Sequence, residues 1–263
     1  MLIRDTFSRL FCLPEAQGLD PDLPEMAAVH RSIILRKPFL RKLYEEYYRL
    51  FREQASLVAS LPGRLLELGS GGGFLKEVLP EIIASDVYQD SRLDQIIFAD
   101  RLPFEAGGLK AVFLLNVLHH LSQPQAFFHE LDRCLVRGGR VVMIEPANSL
   151  WGRLFYKHLH HEPFDESVKE WESPALGRLS TSNQAMPWII FTRDRAFFER
   201  RFPRLRIAEV RAHTVTRYLL SGGLTARAFV PSFSFSFFSL IDRGLSSLTS
   251  IFPVFQTIIL EKQ

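Results

Sequence analysis

The chain has 263 residues, 47% of them apolar, and a formal net charge of +3. That length and apolar content fill one large core and leave two full domains crowded, and so modest a charge gives no nucleic-acid-binding footprint of its own. Two cysteines, Cys12 and Cys134, exclude a disulfide framework and a cysteine metal motif; no signal-peptide pattern follows Met1, so the expected location is cytoplasmic.

Residues 24–36 and 38–60 read as two helices parted at Pro38. In the second, Leu40, Leu43, Tyr44, Tyr47, Phe51, Ala55 and Val58 recur at helical spacing. Such a stripe packs against the rest of the chain, and its tyrosines are also candidates to line a lid over a ligand. Pro62 and Gly63 close the segment.

The run L-L-E-L-G-S-G-G-G at 65–73 follows: a short apolar strand with Glu67 near its carboxyl end, then a glycine-rich turn. Gly69, Gly71 and Gly73 let the backbone turn sharply and approach a ligand that a Cβ would push away. Residues 74–79 suit a helix, whose N-terminus would follow the turn. Residues 81–85 form a second strand-like run ending in Asp86, placed to accept hydrogen bonds from both hydroxyls of a ribose. A third run, 95–99, ends in Asp100 and Arg101. Residues 110–116 read as a buried fourth strand, 123–136 as a helix ended by Gly138 and Gly139 at the C′ position, and 140–144 as a fifth strand. Strand and helix alternate in a parallel α/β pattern.

A nicotinamide or flavin dinucleotide also uses a glycine-rich first turn, but its fingerprint wants a third glycine three positions after the second. Phe74 stands there instead, and Glu67 sits two residues before the first glycine. Both favour a zwitterionic ligand over a pyrophosphate.

Five ordered blocks carry a resemblance: E-L-G-S-G-G-G at 67–73, S-D at 85–86, A-D-R-L-P-F at 99–104, N-V-L-H-H-L at 116–121 and L-V-R-G-G-R-V-V-M-I-E-P at 135–146. Residues 63–148 resemble the core of a class I S-adenosylmethionine-dependent methyltransferase, of the type 11-like group that modifies small molecules and lipids. The resemblance implies a Rossmann-like, doubly wound, mostly parallel seven-stranded sheet, with S-adenosyl-L-methionine as cofactor. It implies that Gly69, Ser70, Gly71 and Gly73 pass under the methionine part and that Glu67 orders its amino-acid end. Asp86, with Val87, would hold the ribose, Asp100, with Arg101, would meet the adenine, and Asn116 would close the methionine side. Only residues 87–99 separate the two acids, fewer than the family spends there, so the second helix shrinks to a single turn near 90–93 and Tyr88 becomes a candidate adenine wall.

Two additions flank this core: a helical N-terminal cap over 1–62 and a substrate-facing insertion over 149–263 that also completes the sheet. In the second, 150–158 and 192–202 read as helices, the latter with Thr192 as N-cap, and 205–212 and 256–260 as the last two strands. Between those strands a Phe-rich segment, 229–252, is too short and too interrupted by Asp242 and Arg243 to span a bilayer. It reads as a buried cap helix, a pocket wall, or a peripheral membrane contact; Phe-Ser alternation at 232–237 equally fits a strand. With Arg217, Arg227 and Arg243 close by, a lipid-linked acceptor is attractive.

Methyl transfer from a sulfonium needs alignment and exclusion of water, and a hydroxyl acceptor is helped by a general base. His119 and His120 follow the fourth strand at the carboxyl edge, where ligands sit in such sheets. His158, His160 and His161 with Glu162 and Asp165 form a second polar cluster, a base, a metal site, an acceptor pocket or a solvated loop. No metal is expected, since two histidines four apart on one helix are absent. The candidate catalytic residues are therefore His119, His120 and His161. Base-amino methylation of nucleic acid is disfavoured, because Asn116 is followed by Val117, Leu118 and His119 rather than by prolines and an aromatic. The expected function is methyl transfer to a small-molecule or lipid-like acceptor, on oxygen ahead of carbon or nitrogen. The alternative is a non-catalytic S-adenosylmethionine-binding subunit.

Overall fold

The computed structural model describes residues 12–16, 20, 22–158, 160, 162–174, 177 and 182–263. The chain opens with α1 (Glu25–Arg36) and α2 (Pro38–Leu57). Lys37 between them is extended, because the ring of Pro38 disfavours a helical conformation in the preceding residue. Then come β1 (Arg64–Leu68), α3 (Leu75–Val78), β2 (Ile83–Asp86), β3 (Gln95–Ile96), β4 (Leu109–Leu115), α4 (Pro124–Cys134), β5 (Leu135–Pro146) and α5 (Leu150–His158). The last part carries α6 (Arg195–Arg201), β6 (Leu205–His213), α7 (Arg217–Ser221), α8 (Phe235–Ser246) and β7 (Phe255–Lys262).

The strands form one seven-stranded sheet in the order β3-β2-β1-β4-β5-β7-β6, parallel from β3 to β5, with β7 antiparallel to both its neighbours. Successive side chains alternate between its faces. Leu65, Ala111, Phe113, Val142, Ile144 and Ile259 face α1 and α2, and Phe113 meets Phe51 at 5.1 Å between ring centroids. Leu66, Leu68, Val112, Leu114, Val141 and Met143 face the other way, onto α4 and α6. Both faces are covered, which is why the central strands read as continuous apolar runs. The predicted stripe on α2 is buried from Leu40 to Val58, so it is core packing.

Four local expectations are corrected. Residues 90–93 make a turn closed by Leu93 N–H donating to Asp90 O (3.1 Å), without a helix, and Arg92 clamps the Asp90 carboxylate. Gly138 and Gly139 do not end α4: the helix stops at Cys134 and the chain passes straight into β5. Pairing with β4 jumps from Leu109↔Leu135 to Ala111↔Arg140, and the intervening bulge needs Gly138 at φ +79°. Thr192 caps nothing, because helical backbone already begins at Met186 and runs through a π-helical turn, Ile189–Arg193, before α6. The Phe-Ser alternation is the entry to a helix, a 3-10 turn at Ser232–Ser234 leading into α8, and not a strand.

The start of α8 packs on α2, with Phe235 against Phe39 (5.1 Å). Asp242, expected as an interruption of an apolar segment, is a buried hub. Its Oδ1 accepts from the backbone and hydroxyl of Thr216 (both 2.7 Å) and its Oδ2 from Arg217 Nε (2.8 Å). Arg217 also donates to Glu46 Oε2 on α2 (2.6 Å), so α2, α7 and α8 are tied by one ionic network. Among the described residues no helix is long and apolar enough to cross a membrane.

Candidate active site

Strand β1 carries Glu67 into the carboxyl edge of the sheet, where the side chain is buried. Burial pushes its carboxyl up to about 7; the Ser70 hydroxyl, donating to Oε2 over 2.7 Å, works against that, and the charge of Asp86 adds to it. The turn that follows has Gly69 at φ +67° and Gly71 at φ +51°, a region that costs an L side chain energy. Close packing adds a second demand. A Cβ on Gly69 would lie 2.5 Å from Val117 Cγ2, one on Gly72 2.5 Å from Arg31 N, and one on Gly73 2.4 Å from Tyr48 Oη. The cap helices therefore press on the turn from outside: Arg31 donates to Gly73 O (2.6 Å) and pairs with Glu77, and Tyr48 Oη accepts from Phe74 N–H (3.2 Å).

Asp86 closes the other side. Its Oδ2 accepts from Gly71 N–H (2.9 Å) and its Oδ1 from Val87 N–H (2.8 Å), so the acid ending β2 is fastened to the turn ending β1. A cavity lies beside the turn, with Glu67, Ser70, Gly71 and Gly73 in its lining. At the end of β4, Asn116 has φ +56°, a strained conformation for a residue with a side chain. Its Oδ1 is buried without a hydrogen-bond partner among the described residues. A buried acidic carboxyl, an unspent amide oxygen and a backbone turned by glycines together fit the ammonium and carboxylate of an amino-acid-bearing ligand.

Beyond Asn116 the structure assembles what the sequence kept apart. Glu145, at the end of β5 and fully buried, accepts from the N–H groups of Val117 and Leu118 through Oε1 (2.8 Å each) and meets His119 Nδ1 through Oε2 (2.6 Å). The other nitrogen of His119 faces Glu162 Oε2 (3.5 Å) and Gln184 Nε2 (3.3 Å). His120 stacks beside it, ring centroids 4.1 Å apart, with Nε2 3.9 Å from Glu162 Oε1. Burial alone would lower the His119 pKa; Glu145 and Glu162 outweigh it and hold the imidazole up at about 9. Burial likewise opposes ionisation of Glu162, and the histidines around it overturn that, pulling its carboxyl well below the usual range.

Of the predicted site residues, Glu67, Gly69, Ser70, Gly71, Gly73, Asp86, Val87 and Asn116 converge on this edge. Asp100 and Arg101 lie exposed in the turn after β3, outside the lining of the cavity, and Tyr88 is buried. His119 and His120 come together with Glu162, which leaves the second predicted cluster: His158 is exposed on α5, Asp165 lies in an exposed loop, and His161 falls outside the described residues. Arg217, expected near an acceptor, is spent on Asp242 and Glu46. Four contributors had been given no role: Arg31, Tyr48, Glu145 and Gln184. Glu145 alone carried a signal, an acid closing an apolar strand.

Residues 66–143 match the model of the methyltransferase domain family. Among solved structures, geranyl diphosphate C-methyltransferase from Streptomyces coelicolor A3(2) is 14% identical, over 96% of this chain and 89% of that one, with a TM-score of 0.50. An S-adenosylmethionine-dependent methyltransferase from Archaeoglobus fulgidus is 15% identical, over 83% of this chain and 94% of that one, with a TM-score of 0.51. At such identities these neighbours speak for the fold. No curated protein matches the chain. Residues 66–143 are thus similar to a methyltransferase domain, and the sheet around them has the fold of these S-adenosylmethionine-dependent enzymes.

Proposed function

We propose that the chain methylates an oxygen of a lipid-like acceptor presented at a membrane surface. The observation that carries this reading is an exposed apolar face. Phe233, Phe237 and Leu240, on the approach to α8 and on it, are 84%, 61% and 65% exposed, far beyond what core packing requires. Leu248 and Ile251 continue the exposed apolar surface, and the backbone of Ile251 accepts from Trp151 N–H (2.8 Å), which joins it to the exposed Leu150, Trp151 and Leu154 at the start of α5. Exposed apolar side chains gathered on neighbouring segments mark a membrane or partner contact. Phe238, by contrast, packs on Phe39 and is half-buried.

S-adenosylmethionine, when bound, supplies a methyl group already activated on a sulfonium. This chain's residues then have three tasks. Glu67, Ser70, the glycine turn and Asn116 hold the amino-acid end, and Asp86 with Val87 holds the ribose. The cap helices keep water from the turn. His119, His120 and Glu162 stand where an acceptor hydroxyl must shed its proton; His119, with both ring nitrogens engaged, positions, and His120 Nε2 is the nearer candidate to take that proton.

Labelled methyl donor incubated with the protein and a total cell extract tests the reading. Label is expected in the lipid phase, as an O-methyl group, and the Phe233→Ser/Phe237→Ser/Leu240→Ser variant should lose co-sedimentation with anionic liposomes while melting like the parent. Label confined to water-soluble products, or on carbon or nitrogen, overturns the acceptor assignment. No label anywhere supports a cofactor-binding subunit.

A further inference from the structure

We infer that His119, His120 and Glu162 form a binding site for one divalent transition-metal ion, zinc by the chemistry of its donors. Their three ligand atoms lie within 4.8 Å of one another. Two of the separations, His119 Nε2 to Glu162 Oε2 at 3.5 Å and His120 Nε2 to Glu162 Oε1 at 3.9 Å, compare with the edge of about 3.4 Å between donors on a tetrahedral zinc. Closing the cluster onto an ion takes side-chain shifts of up to about 1 Å, within the reach of small χ adjustments.

The surroundings are built for ligation. A metal-binding imidazole characteristically gives its other N–H to a carboxylate, which fixes the tautomer and makes the ligand nitrogen more basic. Glu145 holds His119 Nδ1 in that way at 2.6 Å, and is itself held by two backbone N–H groups. The loop bearing Glu162 and the segment bearing Gln184 are tied in place too: Gln184 N–H donates to Pro163 O (3.0 Å) and Asn183 N–H to His119 O (2.9 Å). The Gln184 amide nitrogen sits between His119 Nε2 and Glu162 Oε2, so an electropositive group already stands where two lone-pair donors converge. Turned about its last bond, the same amide presents Oε1 as a further oxygen donor. Two histidines and one glutamate with an open position form a zinc donor set of the kind found in catalytic sites, and imidazole selects zinc over magnesium.

The site lies against the donor turn, since Val117, whose side chain packs on Gly69, also donates to Glu145. With an ion bound, His120 Nε2 is spent as a ligand and the ion takes over from that base: it would lower the pKa of an acceptor hydroxyl at the open position, whose proton passes to solvent and whose oxygen lone pair is directed at the methyl group. This use of the ion rests on the oxygen-acceptor reading above; binding of the ion does not.

The test uses the full chain, stripped with a chelator and dialysed, titrated calorimetrically with zinc and, separately, with cobalt(II) followed by visible absorption. One ion per chain is expected, with cobalt giving the intense bands of a four- or five-coordinate site. His120→Ala and Glu162→Gln should each abolish stoichiometric binding, and Glu145→Gln should weaken it ~10- to 100-fold. The exposed His158→Ala variant should bind as the parent does. Absence of zinc binding, or one ion per chain persisting in His120→Ala/Glu162→Gln, overturns the site. Each sample is also titrated with S-adenosylmethionine: donor binding without zinc binding sinks the metal site alone, and zinc binding without donor binding sinks the donor assignment alone.

Discussion

The backbone N–H of Gly71 donates to Asp86 Oδ2 over 2.9 Å, joining the turn after β1 to the acid that ends β2. One carboxylate thus shapes the glycine turn and, in the proposed reading, also holds the ribose. Asp86→Ala should lose both functions, and Asp86→Asn should keep the bond from Gly71 through its one amide oxygen while losing the charge and the bond from Val87. Hydrogen bonds to a charged group contribute about 1.5–3 kcal/mol, so the affinity for S-adenosylmethionine should fall ~10- to 100-fold in either variant. Both variants should melt lower, the alanine variant further. Calorimetry and thermal melts check both, and unchanged affinity in Asp86→Ala would contradict the role.

Gly73 is constrained from outside the turn. A Cβ there meets Tyr48 Oη at 2.4 Å and Ser70 O at 2.9 Å, and Tyr48 is buried on α2 with no room to withdraw. Gly73→Ala should cost about 1–3 kcal/mol of stability, the usual range for overpacking. Tyr48→Phe should cost about 1 kcal/mol, because it removes the partner of Phe74 N–H. In the double variant the hydroxyl clash is gone, so the combined loss in chemical denaturation should be smaller than the sum. Simple additivity would refute the contact.

Glu67 makes stability and donor binding respond to pH in opposite directions. Its carboxyl titrates near 7 in the folded chain against an ordinary 4.5, chiefly through burial. The folded state therefore holds this proton more tightly than the unfolded one. Its contribution is complete below pH 4.5 and is lost as pH rises to 7, a change on the order of 3 kcal/mol. Donor affinity should run the other way and rise from pH 6 to 7.5, since an ammonium prefers the ionised carboxylate and stays protonated over that range. Melts and calorimetry across pH should show both slopes, and Glu67→Gln should flatten both. A slope kept in Glu67→Gln would assign it to another group.

The Arg217–Asp242 pair holds the C-terminal addition to the cap. Arg217→Met strands a buried carboxylate and should cost about 3–5 kcal/mol. Adding Asp242→Leu removes that stranded charge, so the double variant should be more stable than Arg217→Met alone. Urea denaturation gives the comparison; a double variant weaker than the single would show that the carboxylate matters more for Thr216 than for Arg217.

Much of the donor half was legible in the chain because its parts are local. The glycine turn, Asp86 and the strand pattern each lie within a few consecutive residues, and the parallel core keeps their order. The bulge at Gly138 was misread because a Gly-Gly pair suits several local structures, and only pairing with β4 selects one. The acceptor side was illegible for a different reason. His119, Glu145, Glu162 and Gln184 come from four separate segments, brought together by long-range packing that leaves no periodic trace. The buried role of Asp242 was illegible for the same cause: its partner, Arg217, lies on another helix 25 residues away.

The central claim, that the turn at Gly69–Gly73 with Glu67 and Asp86 is the S-adenosylmethionine site, meets its most direct test in calorimetric titration of the full chain. The account predicts one S-adenosylmethionine bound per chain, with affinity lost in Asp86→Ala and raised between pH 6 and 7.5. A folded protein that takes up no S-adenosylmethionine, or takes it up equally well without Asp86, would contradict it.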